Sequence, residues 1–126
     1  MNEVFIIGLG GFIGAISRYG LSGIVNKSGL VAFPLGTLLV NIIGCFIIGA
    51  ISATIDENTD INPNLRHFVI VGLLGSFTTF SAFGYDTFKY LQNGEYMLGA
   101  WNISMNVILG LAAVLAGRLS VRFFAA

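Results

Sequence analysis

Apolar positions fall into four long blocks along the chain, separated by short polar stretches: Val4 to Ile24, Leu35 to Ile55, Phe68 to Leu91 and Met97 to Leu119. A transmembrane helix needs about 20 mostly apolar residues, so each block predicts one span. The third block is interrupted by Gly75-Ser76-Phe77-Thr78-Thr79-Phe80-Ser81-Ala82-Phe83-Gly84, which holds two glycines, four hydroxyl residues and three phenylalanines. Backbone that leaves helical geometry inside a bilayer is tolerated where it is buried in protein or lines a polar cavity. The run therefore predicts a third helix broken mid-membrane, beside a pathway or an ion site.

The connections are short. Loop 1 is expected from Asn26 to Pro34. Loop 2, Asp56 to Arg66, is the most polar segment, and its Asn62-Pro63-Asn64 is a turn signal. Loop 3 is tight, centred on Asn93-Gly94. Short connections predict four helices packed as sequential, antiparallel neighbours in one domain spanning residues 1–126. No internal repeat is evident. Met1-Asn2-Glu3 is acidic and no small-residue cleavage site follows the first block, so it reads as a span and not as a signal peptide.

Composition narrows the function. The 126 residues are 56% hydrophobic and 10% charged, against about 25% charged in an ordinary soluble domain. Nothing outside the spans is large enough for a soluble catalytic or nucleotide-binding domain. Net charge is zero, which gives no sign of nucleic acid. Cys45 is the only cysteine and His67 the only histidine, so no metal cluster of these types exists. Asp86 is the only acid well within a span. Paired carboxylates and a lysine-bearing phosphate loop are both missing, and the chain does not read as an enzyme.

Four spans put the N-terminus, loop 2 and the C-terminus on one side, with Arg66, Arg118 and Arg122. The other side has Lys27, Lys89 and the nearby Arg18. Orientation follows Lys/Arg bias, and three against three gives none, which predicts insertion in both orientations. Glycine supplies 17 residues, above the usual share of about 7%. Gly10-Gly11-Gly14, Gly44-Gly49 and Gly72-Gly75 make small helix faces that permit close approach, and with so little interior of its own the chain is expected to form a homodimer.

Candidate chemistry sits on few residues. Arg18 lies about 9 Å from the far end of its span; it either snorkels to the interface or places a cation at a watery vestibule. Asn41, about 9 Å into the second span, either bonds a neighbouring helix or offers an NH₂ donor to an anion. Asn102 and Asn106 share a face at i and i+4, as a polar track or a helix seam. Phe80 and Phe83, at i and i+3, either pack or present positive ring edges to an anion.

Three stretches resemble the CrcB/Fluc fluoride channels: Gly10-Gly11-Phe12-Ile13-Gly14-Ala15-Ile16-Ser17-Arg18-Tyr19, Pro34-Leu35-Gly36-Thr37-Leu38-Leu39-Val40-Asn41, and Gly75 to Phe83. The resemblance spans all four blocks. It implies an all-α integral membrane protein, an antiparallel dual-topology homodimer with two pores, lying multi-pass in the cytoplasmic (inner) membrane of a microbe. It further implies passive, fluoride-selective export that relieves toxicity. Carried over residue by residue, the fluoride pathway would involve Asn41, Phe80, Phe83, Thr79, Ser81, Asn106 and Arg18. A structural sodium ion at the dimer axis would be held by the backbone carbonyls of Gly75 and Thr78. A broken helix frees carbonyls and hard cations take oxygen ligands, which agrees. Two departures stand out: Ser76 and Ala82 replace the usual Gly and Thr. The rival readings are a small proton-coupled exporter of dual topology, which would need an acid that the first span lacks, and a non-transporting assembly subunit, which leaves the Thr/Ser/Phe run without a role.

Overall fold

The computed structural model describes residues 2–29, 33–58 and 60–125. Residues 30–32 of loop 1, Thr59 of loop 2 and Met1 lie outside the described residues. Among the described residues every regular element is helical: α1 (Asn2–Lys27), α2 (Leu35–Glu57), α3 (Pro63–Arg66), a π-helical segment (His67–Leu74), α4 (Gly75–Phe77), α5 (Phe80–Gln92) and α6 (Tyr96–Ala125). With α3 through α5 taken as one third span, four helices among the described residues are long and apolar enough to cross a membrane. The chain is thus built as a multi-pass membrane protein.

The ends of the helices follow local chemistry. α1 runs on through Lys27, so Asn26 and Lys27 belong to helix and not to loop 1. Asn26 then turns its Oδ1 to the N–H of Gly36, 3.2 Å away, and satisfies a free donor in the first turn of α2. The third span starts earlier than hydropathy suggests because Asn62 caps it: its Oδ1 accepts from the N–H of Asn64 at 2.9 Å, and Pro63 follows at the first helical position. Loop 3 closes through Gly94 at φ +76°, a conformation that costs glycine little.

The packing order differs from the expected sequence of neighbours. The most extensive seams join α2 to α6 and α1 to the π segment, with lesser contact between α1 and α2 and between α5 and α6. Glycine makes these seams possible. A Cβ on Gly49 would overlap the carbonyl of Val114, and one on Gly117 would overlap that of Phe46. On the other seam, a Cβ on Gly10 would overlap the Phe68 carbonyl and lie 2.9 Å from Leu73 N, while one on Gly14 would overlap Leu73 O and the Ser76 hydroxyl. These glycines bring helices of one chain together. Gly11 faces open space, and Gly75 is nearly as open, with only the Ile70 carbonyl at 3.6 Å.

The π turns at His67–Leu74 are not foreshadowed by the apolar pattern; they occur where the third span lies against Gly10 and Gly14. Such segments commonly sit at functional sites. Farther along, the backbone leaves helical geometry at two residues, Thr78 (φ −77°, ψ 158°) and Thr79 (φ −149°, ψ 116°). The interruption is narrower than the ten-residue run predicts, because Phe80 to Gly84 are already helical again.

The interior is small, as expected of a chain whose outer surface suits lipid. Val40 and Asn102 are the largest fully buried side chains, so one of the two is an amide. On the side with both termini, Arg118 pairs with Asp56 at 2.8 Å and ties α6 to α2.

Candidate functional site

The extended residues create the site. A helix would send the Thr79 N–H to the carbonyl of Gly75; here it goes to Asn41 Oδ1 at 2.9 Å. Asn41 Nδ2 returns a bond to the Thr79 carbonyl at 3.2 Å. The amide of Asn41 therefore pairs with both backbone groups of one extended residue, as a neighbouring strand would. Its second N–H reaches Asn106 Oδ1 at 3.0 Å. Downstream, the Ala82 N–H donates to Thr79 Oγ1 at 3.1 Å, so Thr79 is the cap of α5. Ser81 Oγ lies 3.3 Å from the same hydroxyl.

These diversions fall on two particular carbonyls. The N–H groups that would have bonded to Gly75 O and Thr78 O in an unbroken helix belong to Thr79 and Ala82, and both are engaged elsewhere. Gly75 and Thr78, which the resemblance assigns to sodium, are thus among the residues at the break, with Ser76 and Phe77, whose carbonyls have lost their helical donors. The donor set suits a hard cation, since it is oxygen alone. Gly75 is also exposed in the single chain.

Two cavities meet at Thr79. One, of about 450 Å³, is lined by Arg18, Ser22, Thr37, Thr79 and Ser81 among others. The second, of about 420 Å³, is mostly apolar and is lined by Asn41, Gly75, Thr78, Phe80, Phe83 and Asn106, again with Thr79. The residues singled out from the sequence are therefore divided between two adjoining spaces: Arg18 and Ser81 in the first, the phenylalanines and both amides in the second. Phe80 and Phe83 have ring centroids 5.4 Å apart at an interplanar angle of 56°. Phe80 is 82% exposed in one chain, so its contact with Phe83 leaves most of the ring uncovered.

The start of α5 borders the first cavity: α5 begins at Phe80, and Ser81 and Ala82 in its first turn line the space together with Arg18. An outer cavity of about 530 Å³ shares Thr37 and Ala82 with it and holds Asp86, Lys89 and Glu95. Thr37 donates to Asp86 Oδ2 at 3.2 Å across this boundary. Thr37 entered the reading of the sequence only within the Pro34-to-Asn41 stretch, and Thr87 not at all; the one available signal for Thr87 was its position four residues after Phe83, where a hydroxyl can bond back to the carbonyl. Ser76 uses its hydroxyl on the carbonyls of Gly72 (2.7 Å) and Gly11 (2.9 Å), linking the third span to α1. Ala82, the other departure, lines the Arg18 cavity without a hydroxyl.

Residues 5–118 match the family described as CrcB-like protein, Camphor Resistance (CrcB). The chain belongs to the CrcB family. Its relatives cover nearly its whole length. A protein of Methanococcus aeolicus named fluoride-specific ion channel FluC is 45% identical over 121 residues, 94% of each chain. FluC 1 of Methanosarcina acetivorans is 41% identical over 126 residues, all of this chain and 95% of the relative. A FluC of Dehalococcoides mccartyi is 42% identical over 117 residues, 93% of this chain and 90% of its own. In this CrcB chain the broken stretch, Asn41 and both cavities lie inside the matched residues.

Proposed function

We propose that this chain is a fluoride-selective passive channel that releases fluoride from the cytoplasm across the inner membrane. The observation that carries the reading is the lining of the Arg18 cavity: Arg18, the hydroxyl residues Thr79 and Ser81 and the start of α5 border one space, a setting that favours an anion. Beyond Thr79 the way continues past Phe80 and Phe83, whose ring edges offer weak, positive contact to a small anion stripped of water. No coupling machinery is invoked; the anion runs down its electrochemical gradient.

The working unit is an antiparallel homodimer inserted in both orientations, supported by the balance of Lys and Arg on the two sides and by the open faces of Gly75 and Phe80. The two-fold axis of such a dimer lies in the membrane plane, which sets the Thr78–Thr79 interruption at mid-depth. Sodium at that axis would be held by the carbonyls of Gly75 and Thr78 and would supply charge that fastens the two broken helices. Purified protein in potassium fluoride-loaded vesicles tests the reading. A fluoride electrode should record rapid efflux once a potassium ionophore is added, with no chloride efflux in a parallel assay. Efflux equal to that of protein-free vesicles would reject it.

A further inference from the structure

A single hydrogen-bonded relay runs from Thr79 to Phe83 through two other helices. The Thr79 N–H donates to Asn41 Oδ1 at 2.9 Å, and Asn41 Nδ2 donates to Asn106 Oδ1 at 3.0 Å. Asn106 Nδ2 donates to Asn102, to its carbonyl at 2.9 Å and its Oδ1 at 3.1 Å. Asn102 Nδ2 donates to Thr87 Oγ1 at 2.9 Å, and the Thr87 hydroxyl donates to the carbonyl of Phe83 at 2.8 Å. Along this path each bond is donated in the same direction, and one bond runs back, from Asn41 Nδ2 to the Thr79 carbonyl at 3.2 Å. Asn102 is fully buried, at 0% exposure, and Thr87 is buried beside it.

Both ends of this relay are backbone groups that cannot change roles. The Thr79 N–H only donates and the Phe83 carbonyl only accepts. The Thr87 proton is committed to Phe83, so its oxygen must accept, and Asn102 must present its NH₂ there. That places the Asn102 oxygen toward Asn106, the Asn106 oxygen toward Asn41, and the Asn41 oxygen toward Thr79. All three amide oxygens are thereby tied up. An amide oxygen turned into a narrow passage would repel an anion, and a buried relay with one member missing loses its sense of direction.

We propose that Asn102 and Thr87 are positioning residues for anion passage: they fix the orientation of the Asn106 and Asn41 amides, and through Asn41 the peptide of Thr79, without lining the Phe80–Phe83 cavity themselves. This rests on the fluoride-channel reading for its flux consequence, though the relay itself is a property of the fold. Thr87 is the most discriminating position, because Val keeps its shape but removes the hydroxyl, and Ser keeps the hydroxyl.

The test uses full-length protein in vesicles and in detergent. Thr87→Val should lower fluoride efflux about tenfold and speed amide hydrogen exchange at Thr79, while Thr87→Ser stays near wild type in both. Asn102→Asp adds a second readout. A protonated acid can donate to Thr87 and accept from Asn106 as the amide does, whereas the carboxylate only accepts. Its efflux, corrected for protein-free vesicles, should therefore fall as pH rises through the range where the acid ionises, with wild type flat. Wild-type flux and exchange in Thr87→Val would overturn the proposal. So would equal losses in Thr87→Val and Thr87→Ser, or a flat pH profile for Asn102→Asp. Should wild type itself pass no fluoride, the channel reading fails, and the exchange data alone decide the relay.

Discussion

Asn41 and Thr79 form a two-bond pair in which one side-chain amide satisfies both backbone groups of an extended residue. Thr79 is buried, so water does not substitute easily. Asn41→Leu keeps approximate size and leaves an N–H and a C=O without partners, at about 1–3 kcal/mol each. The variant should unfold earlier than wild type in detergent, followed by circular dichroism on heating, and its fluoride efflux should be lost. An unchanged unfolding midpoint would show that the pair contributes nothing to holding the break.

Glycine substitutions should divide by seam. Gly49→Ala and Gly14→Ala place a methyl group against backbone carbonyls of Val114 and Leu73, and overpacking of this kind costs about 1–3 kcal/mol. Gly8→Ala and Gly11→Ala meet nothing within 4 Å and should leave the fold unperturbed. Yield of monodisperse protein on size exclusion, together with the thermal midpoint, separates the two groups; equal behaviour would contradict the packing described.

Phe80→Ile and Phe83→Ile retain bulk and lose the positive ring rim. Each should cut fluoride efflux strongly while the protein still assembles; a contact worth about 1.4 kcal/mol in the barrier corresponds to roughly a tenfold slower passage. Efflux by electrode beside size exclusion of the same sample is the check. Wild-type efflux in both variants would assign the rings to packing alone.

Thr78→Ser keeps the carbonyl, and its hydroxyl can still reach Leu74 O as Thr78 Oγ1 does at 3.1 Å; it should conduct nearly as wild type. Gly75→Val adds bulk on an open face and should impair assembly or efflux if a second chain and a sodium ion approach there. Prolonged dialysis against sodium-free buffer should slow efflux reversibly. Full activity after that treatment would remove the ion from the account.

A C-terminal reporter should show activity on both sides of the membrane, as equal Lys/Arg counts predict. Signal on one side only would rule out insertion in both orientations.

Hydropathy made the four spans legible, since length and apolar content are all that a span needs. The shared face of Asn102 and Asn106 was legible too, because it follows from helical spacing alone. What lies between helices was harder to read. Glycine announces close approach without naming the partner, and so the α2–α6 seam at Gly49 and Gly117 replaced the expected order of sequential neighbours. The π turns lie against α1, and no local apolar pattern marks them. Thr87 carries no local signal of its partner, because Asn102 reaches it from another helix. Asn41 was legible as either a bond to a neighbouring helix or a donor to an anion, and both its N–H groups bond to other residues of the chain.

The two extended residues also have an effect on screw phase. Each advances the chain by about 3.3 Å in place of 1.5 Å, so Thr78 and Thr79 lengthen the span by about 3–4 Å and cancel the rotational bookkeeping of the turns before them. The face on which Leu74 and Phe77 are buried therefore does not dictate where Phe80 points. A single 30-residue stretch can serve two independent azimuths, one matched to α1 and the other to the cavity beyond Thr79, and any helical wheel drawn straight through it mixes the two.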